Sequence, residues 1–162
     1  AAVQMEIIDK VTYVTPIEHE AVLIFGDELS TEDLLRNYPE KLVINQGSRG
    51  VSTCLKDGQI LNVPARKAQV VDTTGAGDTL NGAFSVQIVE GKAIEDALAY
   101  ANVAASLSTE KFGAQTGMPT AEEVETALKI LNGESVEKEI PGEMELYTKL
   151  EKMIFRDSSS IK

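Results

Sequence analysis

The sequence predicts an α/β fold: a mostly parallel sheet flanked by helices, with one β-hairpin. Three observations carry that reading. Short apolar runs alternate with stretches of helical periodicity, which is the pattern of strand–helix–strand units. Val51–Leu55 and Gln59–Val63 are strand-like and meet across Asp57-Gly58, a dipeptide that suits a primed hairpin turn. Val70–Leu80 passes from an apolar strand end through Asp72-Thr73-Thr74-Gly75-Ala76-Gly77-Asp78 into helical spacing.

The elements follow in order. Lys10–Thr15 is β-rich through Val11, Tyr13 and Val14, and Pro16 favours an extended residue before it. A short helix over Ile17–Phe25 ends at Gly26. Ser30 caps a helix over Thr31–Tyr38, closed by Pro39. Lys41-Leu42-Val43-Ile44 reads as a buried strand, and Asn45–Gly50 as a polar glycine loop after it. Leu80, Ala83, Phe84 and Ile88 mark one helix, ended at Glu90-Gly91. Ala93–Ser108 forms another, whose many alanines imply close packing against a neighbour. A loop with Gly113, Gly117 and Pro119 leads to the capping box Thr120-Ala121-Glu122-Glu123 and a helix bearing Val124, Ala127, Leu128 and Leu131. The segment 134–162 is more charged, is interrupted by Pro141-Gly142, and offers an amphipathic stretch with Tyr147, Leu150 and Ile154.

Composition narrows the function. At 162 residues, 43% hydrophobic and 25% charged, the chain suits one globular domain with a real core. A net charge of -11 argues against a nucleic-acid backbone as partner, yet allows a nucleotide, since backbone amides can bind phosphate without net positive charge. The single cysteine, Cys54, excludes an intrachain disulfide and a cysteine-rich zinc site. With no signal-like N-terminus, that fits the cytoplasm, and no apolar run suggests a membrane span. His19, the only histidine, reads as a helix surface residue rather than a catalyst.

Chemistry concentrates in the glycine turn. Gly75 and Gly77 lack a Cβ, so backbone amides can close on a ligand, and the following helix favours an anion at its N-terminus. The alternative is a plain tight turn with Asp78 as N-cap. The turn has neither Gly-x-x-x-x-Gly-Lys nor a full Gly-x-Gly-x-x-Gly, so it is neither a P-loop nor a dinucleotide fingerprint. Asp72 precedes the turn and Asp78 follows it. A carboxylate facing phosphate is repulsive, so Asp78 is better used to accept a proton from an attacking hydroxyl. In α/β sheets ligands gather at the carboxyl ends of strands, where Asn45–Gly50 and Asp72–Asp78 are both expected.

These segments resemble the ribokinase-like (PfkB) carbohydrate kinases. The match rests on Asp72–Thr79 with its small-residue helix, Thr15-Pro16-Ile17-Glu18-His19-Glu20-Ala21, Gln46-Gly47-Ser48-Arg49-Gly50-Val51, and Gly113-Ala114-Gln115 with Pro119, in order over about residues 3 to 131. The resemblance implies an ATP-dependent sugar kinase. Asp78 would be the base, and Gly75, Ala76 and Gly77 the anion hole. Asn45, Gly47, Ser48, Arg49, Gly50 and Asn102 would meet the nucleotide. Glu20 would organise magnesium through water. Asp72, Thr74, Ser108, Lys111, Gly113 and Gly117 would form a potassium site.

Three positions depart from the family pattern. Ile17 stands at the asparagine of the Asn-x-x-Glu motif, Asn45 at a usual threonine or serine, and Gly117 at a frequent serine. The resemblance also implies that residues 1–133 are the C-terminal, nucleotide-binding and catalytic half of such a kinase. The sugar-reading N-terminal half and its lid would be absent, and 134–162 would be an added tail. The chain alone would then be inactive, with an exposed sheet edge that invites a homodimer or pairing with the missing half. The partners implied are ATP and a small sugar. The alternative reading is a non-catalytic nucleotide-binding or interaction module derived from the same fold.

Overall fold

A computed structural model describes residues 5–134. The helices are α1 (Met5–Lys10), α2 (Glu18–Phe25), α3 (Thr31–Asn37), α4 (Ala76–Val89), α5 (Ile94–Ser108) and α6 (Ala121–Leu131), and the strands are β1 (Val43–Asn45), β2 (Val51–Cys54) and β3 (Ile60–Val63). The amphipathic stretch expected near Tyr147 lies outside the described residues.

The named strands form one sheet in the order β1-β2-β3, and both pairings are antiparallel. This corrects the expectation of a mostly parallel sheet for this part of the chain. Parallel neighbours need a crossover of a dozen or more residues, whereas only residues 46–50 separate β1 from β2 and 55–59 separate β2 from β3. Among the described residues, parallel pairing is confined to the extended segment before α2, where Val14 bridges Leu42 and Ile17 bridges Asn45. There the α2–α3 crossover supplies the needed length. The Asp57-Gly58 hairpin also differs in detail. Gly58 N–H donates to Leu55 O and Leu55 N–H to Gln59 O, a three-residue loop with Gly58 at φ 85°, as in a turn closed by a glycine bulge.

Alternation along β1 sends its side chains to opposite layers. Val43 packs with Val51, Leu80, Phe84, Ala97, Leu98 and Ala101 under α4 and α5. Its neighbours Leu42 and Ile44 pack with Ala21, Leu34, Leu35 and Cys54 under α2 and α3. Tyr13 meets Phe84 edge-on, with ring centroids 5.0 Å apart. The alanine face of α5 is buried as its composition implies: Ala97 and Ala101 have no exposed surface, and Ala104 packs with Val103 and Val124 of α6. Ser30 caps α3 by accepting from Asp33 N–H, and Thr120 with Glu123 completes the capping box of α6.

Two further expectations change. No strand precedes the glycine turn: residues 64–72 are irregular, and Val70 and Val71 are exposed. Without a neighbouring strand, the amides of Val71 and Asp72 donate instead to Thr109 O at the end of α5. Asp78 is not the N-cap of α4. Gly75 holds that position at φ 79°, ψ 3°, which places Asp78 inside the first helical turn.

Candidate functional site

The glycine turn is fixed from below. Asp72 Oδ1 accepts from Thr74 N–H at 2.9 Å, and its Oδ2 accepts from Gly113 N–H at 2.9 Å. Hydrogen bonds from the Thr74 side chain, then from the Thr74 amide and the Gly113 amide, hold the Asp72 carboxyl below the ordinary carboxylate range. A Cβ on Gly75 would lie 2.9 Å from Ala114 Cβ, so a glycine lets the turn pack against the 112–117 loop. Ala76 N–H donates to Thr73 O at 3.2 Å, while the amides of Gly75, Gly77 and Asp78 have no hydrogen-bond partner among the described residues. Free amides at a helix N-terminus form a concavity suited to an anion. The Asp78 amide belongs with those of Gly75 and Gly77, whereas the amide of Ala76, expected in the anion hole, is already engaged by Thr73 O.

Two cavities flank this turn. The larger, about 590 Å³, is lined by Asn45, Gly47, Ser48, Ala65–Ala68, Val70, Thr73, Ala76, Leu80, Asn102, Ala105, Ser106 and Thr109. The smaller, about 210 Å³, is lined by Thr15, Ile17, Glu20, Asn45, Gly75, Gly77, Asp78 and Asn81. Asn45 borders both. Across the turn, Ala76 faces the larger cavity, while Gly75, Gly77 and Asp78 face the smaller.

Asn45, Gly47, Ser48 and Asn102 line the larger cavity, whereas Arg49 and Gly50 do not. Asn102, almost fully buried, donates through Nδ2 to Val63 O at 3.1 Å and Pro64 O at 2.7 Å, tying β3 to α5 at the cavity wall. Arg49 does not line the larger cavity; its guanidinium is paired with Glu18, whose Oε1 also accepts from Gln46 Nε2 at 3.3 Å. Gln46 Oε1 in turn accepts from Ser52 Oγ at 2.6 Å. Gly50 is buried beneath the loop, against the backbone of Val63–Ala65. Asn45 Oδ1 accepts from Gly47 N–H at 2.9 Å, which folds the loop back on itself.

Glu20 lies on the smaller cavity, where its Oε2 accepts from Ile17 N–H at 3.0 Å. Ile17 has no side-chain acceptor, so only this half of a capping box forms, and an apolar side chain borders a site where the resemblance implies an asparagine. Thr15 and Asn81 were missed by the sequence reading. Asn81 follows Asp78 by three residues on α4, a spacing that puts both on one helix face.

Of the residues expected at a potassium site, the backbone oxygens of Ser108, Lys111 and Gly113 come together. A Cβ built on buried Gly117 would lie 2.7 Å from Gly113 O, 2.8 Å from Ser108 O and 3.5 Å from Lys111 O. Three carbonyl oxygens therefore converge on one small space, beside Gly113, whose amide donates to Asp72. The Lys111 ammonium points elsewhere, to Glu123 Oε1 at 2.8 Å. Such a set of hard oxygen donors fits an alkali cation.

A strand-end loop, a turn of free helix-N-terminal amides and a carboxylate beside it thus stand together on one side of an α/β fold. Residues 1–121 match the family described as pfkB family carbohydrate kinase, and the chain belongs to that family. It is 51% identical over 125 residues to ribokinase of Bacillus subtilis, covering 77% of this chain and 42% of that protein. Among solved structures, ribokinase of Thermotoga maritima superposes with a TM-score of 0.71 at 35% identity, over 78% of this chain and 45% of that one. Ribokinase of Arabidopsis thaliana complexed with ribose and ATP gives a TM-score of 0.71 at 31% identity, over 80% and 44%. The chain thus spans about two-fifths of the length of the curated relatives it matches. Among the described residues, no helix is long and apolar enough to cross a membrane.

Proposed function

We propose that this chain carries the nucleotide-binding and phosphate-stabilising part of an ATP-dependent sugar kinase. The observation that carries this reading is the pair of cavities meeting at Asn45 and at the 75–78 turn. ATP would occupy the larger one, between the 45–50 loop and α5. Arg66 and Lys67 line that cavity, and Lys67 has no carboxylate partner among the described residues, which suits a polyanion in a chain of net charge -11.

The terminal phosphate would lie at the turn, where the amides of Gly75, Gly77 and Asp78 stabilise the charge that develops during transfer. Asp78 would take the proton from the acceptor hydroxyl in the smaller cavity, and Glu20 would orient hydrated magnesium there. Gly47, Ser48 and Asn102 support the nucleotide, Asn102 by fixing the wall and Arg49 and Gly50 by shaping the loop. Asp72 and Thr74, with the carbonyls of Ser108, Lys111 and Gly113 around Gly117, would hold a potassium ion whose charge adds to the field beside the turn. The ribose and ATP named with the Arabidopsis relative support ribose as the first acceptor to test.

Calorimetry of the 162-residue chain with MgATP tests the first half of this reading, and binding is expected. Turnover is measured with ribose in the intact polypeptide that carries these residues. Asp78→Asn is expected to lower kcat by about 10²–10⁴-fold, with little change in MgATP affinity. Unchanged kcat would remove Asp78 from the role of base. Ile17 favours a second reading, a nucleotide-binding module without chemistry, because an apolar side chain borders the cavity where magnesium and phosphate must be held. MgATP binding without turnover in the intact polypeptide would select it.

A further inference from the structure

The outer wall of the larger cavity, residues 65–70, has no regular secondary structure, and none of its residues is buried. Neither a strand ladder nor apolar packing fixes its course. Its two ends are held: Asn102 grips the carbonyls of Val63 and Pro64, and Thr109 O takes the amides of Val71 and Asp72. Between them, among the described residues, the segment makes only two hydrogen bonds, and both go to one atom. Arg66 Nη1 donates to Glu110 Oε1 at 2.9 Å, and Gln69 N–H donates to the same oxygen at 3.3 Å. The Arg66–Glu110 pair is also well shielded, with side chains 24% and 27% exposed, whereas each of the other ion pairs includes a side chain at least 47% exposed.

We propose that Glu110 is the positioning residue for this wall, holding residues 66–69 in the course that shapes the nucleotide cavity. This rests on the reading of that cavity as the nucleotide site. Arg66 borders the cavity itself, so the carboxylate sets both the backbone path and the direction of a cation that faces the ligand. Glu110 lies two residues after Ser108 and one after Thr109, so the same short stretch anchors the wall, the glycine turn and the carbonyl cluster. Wall and turn are thereby both tied to the two residues that follow α5.

The test compares wild type, Glu110→Gln and Glu110→Ala in the 162-residue chain, by amide hydrogen exchange and by MgATP titration. Glutamine keeps an oxygen that can accept both hydrogen bonds, and alanine keeps none. The expected result is faster exchange at the hydrogen-bonded amides of Gln69 and the adjoining Val71 and Asp72 in the alanine variant, an intermediate change with glutamine, and MgATP affinity lowered about three- to tenfold with alanine, the scale of one hydrogen-bonded charge in a part-exposed site. Exchange unchanged at the Gln69 amide, or accelerated equally across α4 and α5, would overturn the positioning role. So would tighter MgATP binding, which is what a freed guanidinium attracting phosphate would give. If the wild-type chain binds no MgATP, the nucleotide reading fails, while the exchange comparison still decides whether Glu110 holds the wall.

Discussion

Replacing Gly50 by alanine probes the nucleotide loop at its tightest point. Gly50 ends the Gly47–Arg49 turn at φ 97°, ψ -144°, its N–H donating to Gly47 O at 3.0 Å and its carbonyl accepting from Gln46 N–H at 2.8 Å. At this ψ the residue lies outside the left-handed α well, in a region nearly restricted to glycine, which costs an L-residue about 1–3 kcal/mol. In addition, the new Cβ would overlap Val63 O and come within 2.7 Å of Ala65 N and 2.9 Å of Pro64 C, all backbone atoms that cannot rotate away. Overpacking of this kind typically costs about 1–3 kcal/mol. Together these predict a loss of about 3 kcal/mol, or roughly 6–12 °C in Tm for a chain of this size.

The overlap can be relieved only by moving the loop off β3 or by pushing 63–65 away from Asn102, and either movement disturbs the larger cavity. Gly58→Ala is the matched control. Gly58 has φ 85°, but its Cβ would meet nothing within 4 Å, so only the conformational cost of about 1–2 kcal/mol applies. Thermal unfolding of both variants, followed by MgATP titration, reads the difference. A Gly50→Ala loss no larger than that of Gly58→Ala would refute the argument that close backbone approach fixes this glycine.

Two other perturbations test the frame around the site. Because the folded-state pKa of Asp72 is depressed below its usual 3.8, the ties to Thr74 and Gly113 stabilise the protein fully above that value and are lost as pH falls below 3.8 through the depressed value. Tm measured between pH 5 and 3 is therefore expected to fall more steeply in wild type than in Asp72→Asn, and parallel curves would contradict it. Phe84→Ala empties a position 2% exposed that carries the edge-on contact with Tyr13, and is expected to cost about 3–5 kcal/mol in urea unfolding. A loss under 1 kcal/mol would mean that α4 is not held by this core.

Helices α2 to α6 and their caps were legible because their signals are local: Ser30, Thr120 with Glu123, Gly26 and the alanine face of α5 each act within one or two turns, whereas α1, which ends at Lys10 in a stretch read as β-rich, was not. The hairpin was legible for the same reason. The direction of β1 was not, since β1 is neighbour both to β2 across a short loop and to the Val14–Ile17 segment across two helices, and an apolar run such as Lys41–Ile44 does not say which pairing dominates. The course of residues 64–72 was misread for a related reason. Val70-Val71 has strand composition, but a strand needs an edge to pair with, and here the partner is the single carbonyl of Thr109.

By itself the sequence determined the family and the glycine turn, because a motif such as Thr73-Thr74-Gly75-Ala76-Gly77-Asp78 needs its residue types at fixed spacing. Tertiary structure alone decided which amides stay free and which residues share a cavity. It also decided that Arg49 is turned to Glu18, and that one oxygen of Glu110 accepts from Arg66 and Gln69, 44 and 41 residues earlier in the chain. Those outcomes depend on where distant backbone groups find partners, a condition satisfied only when the chain has folded.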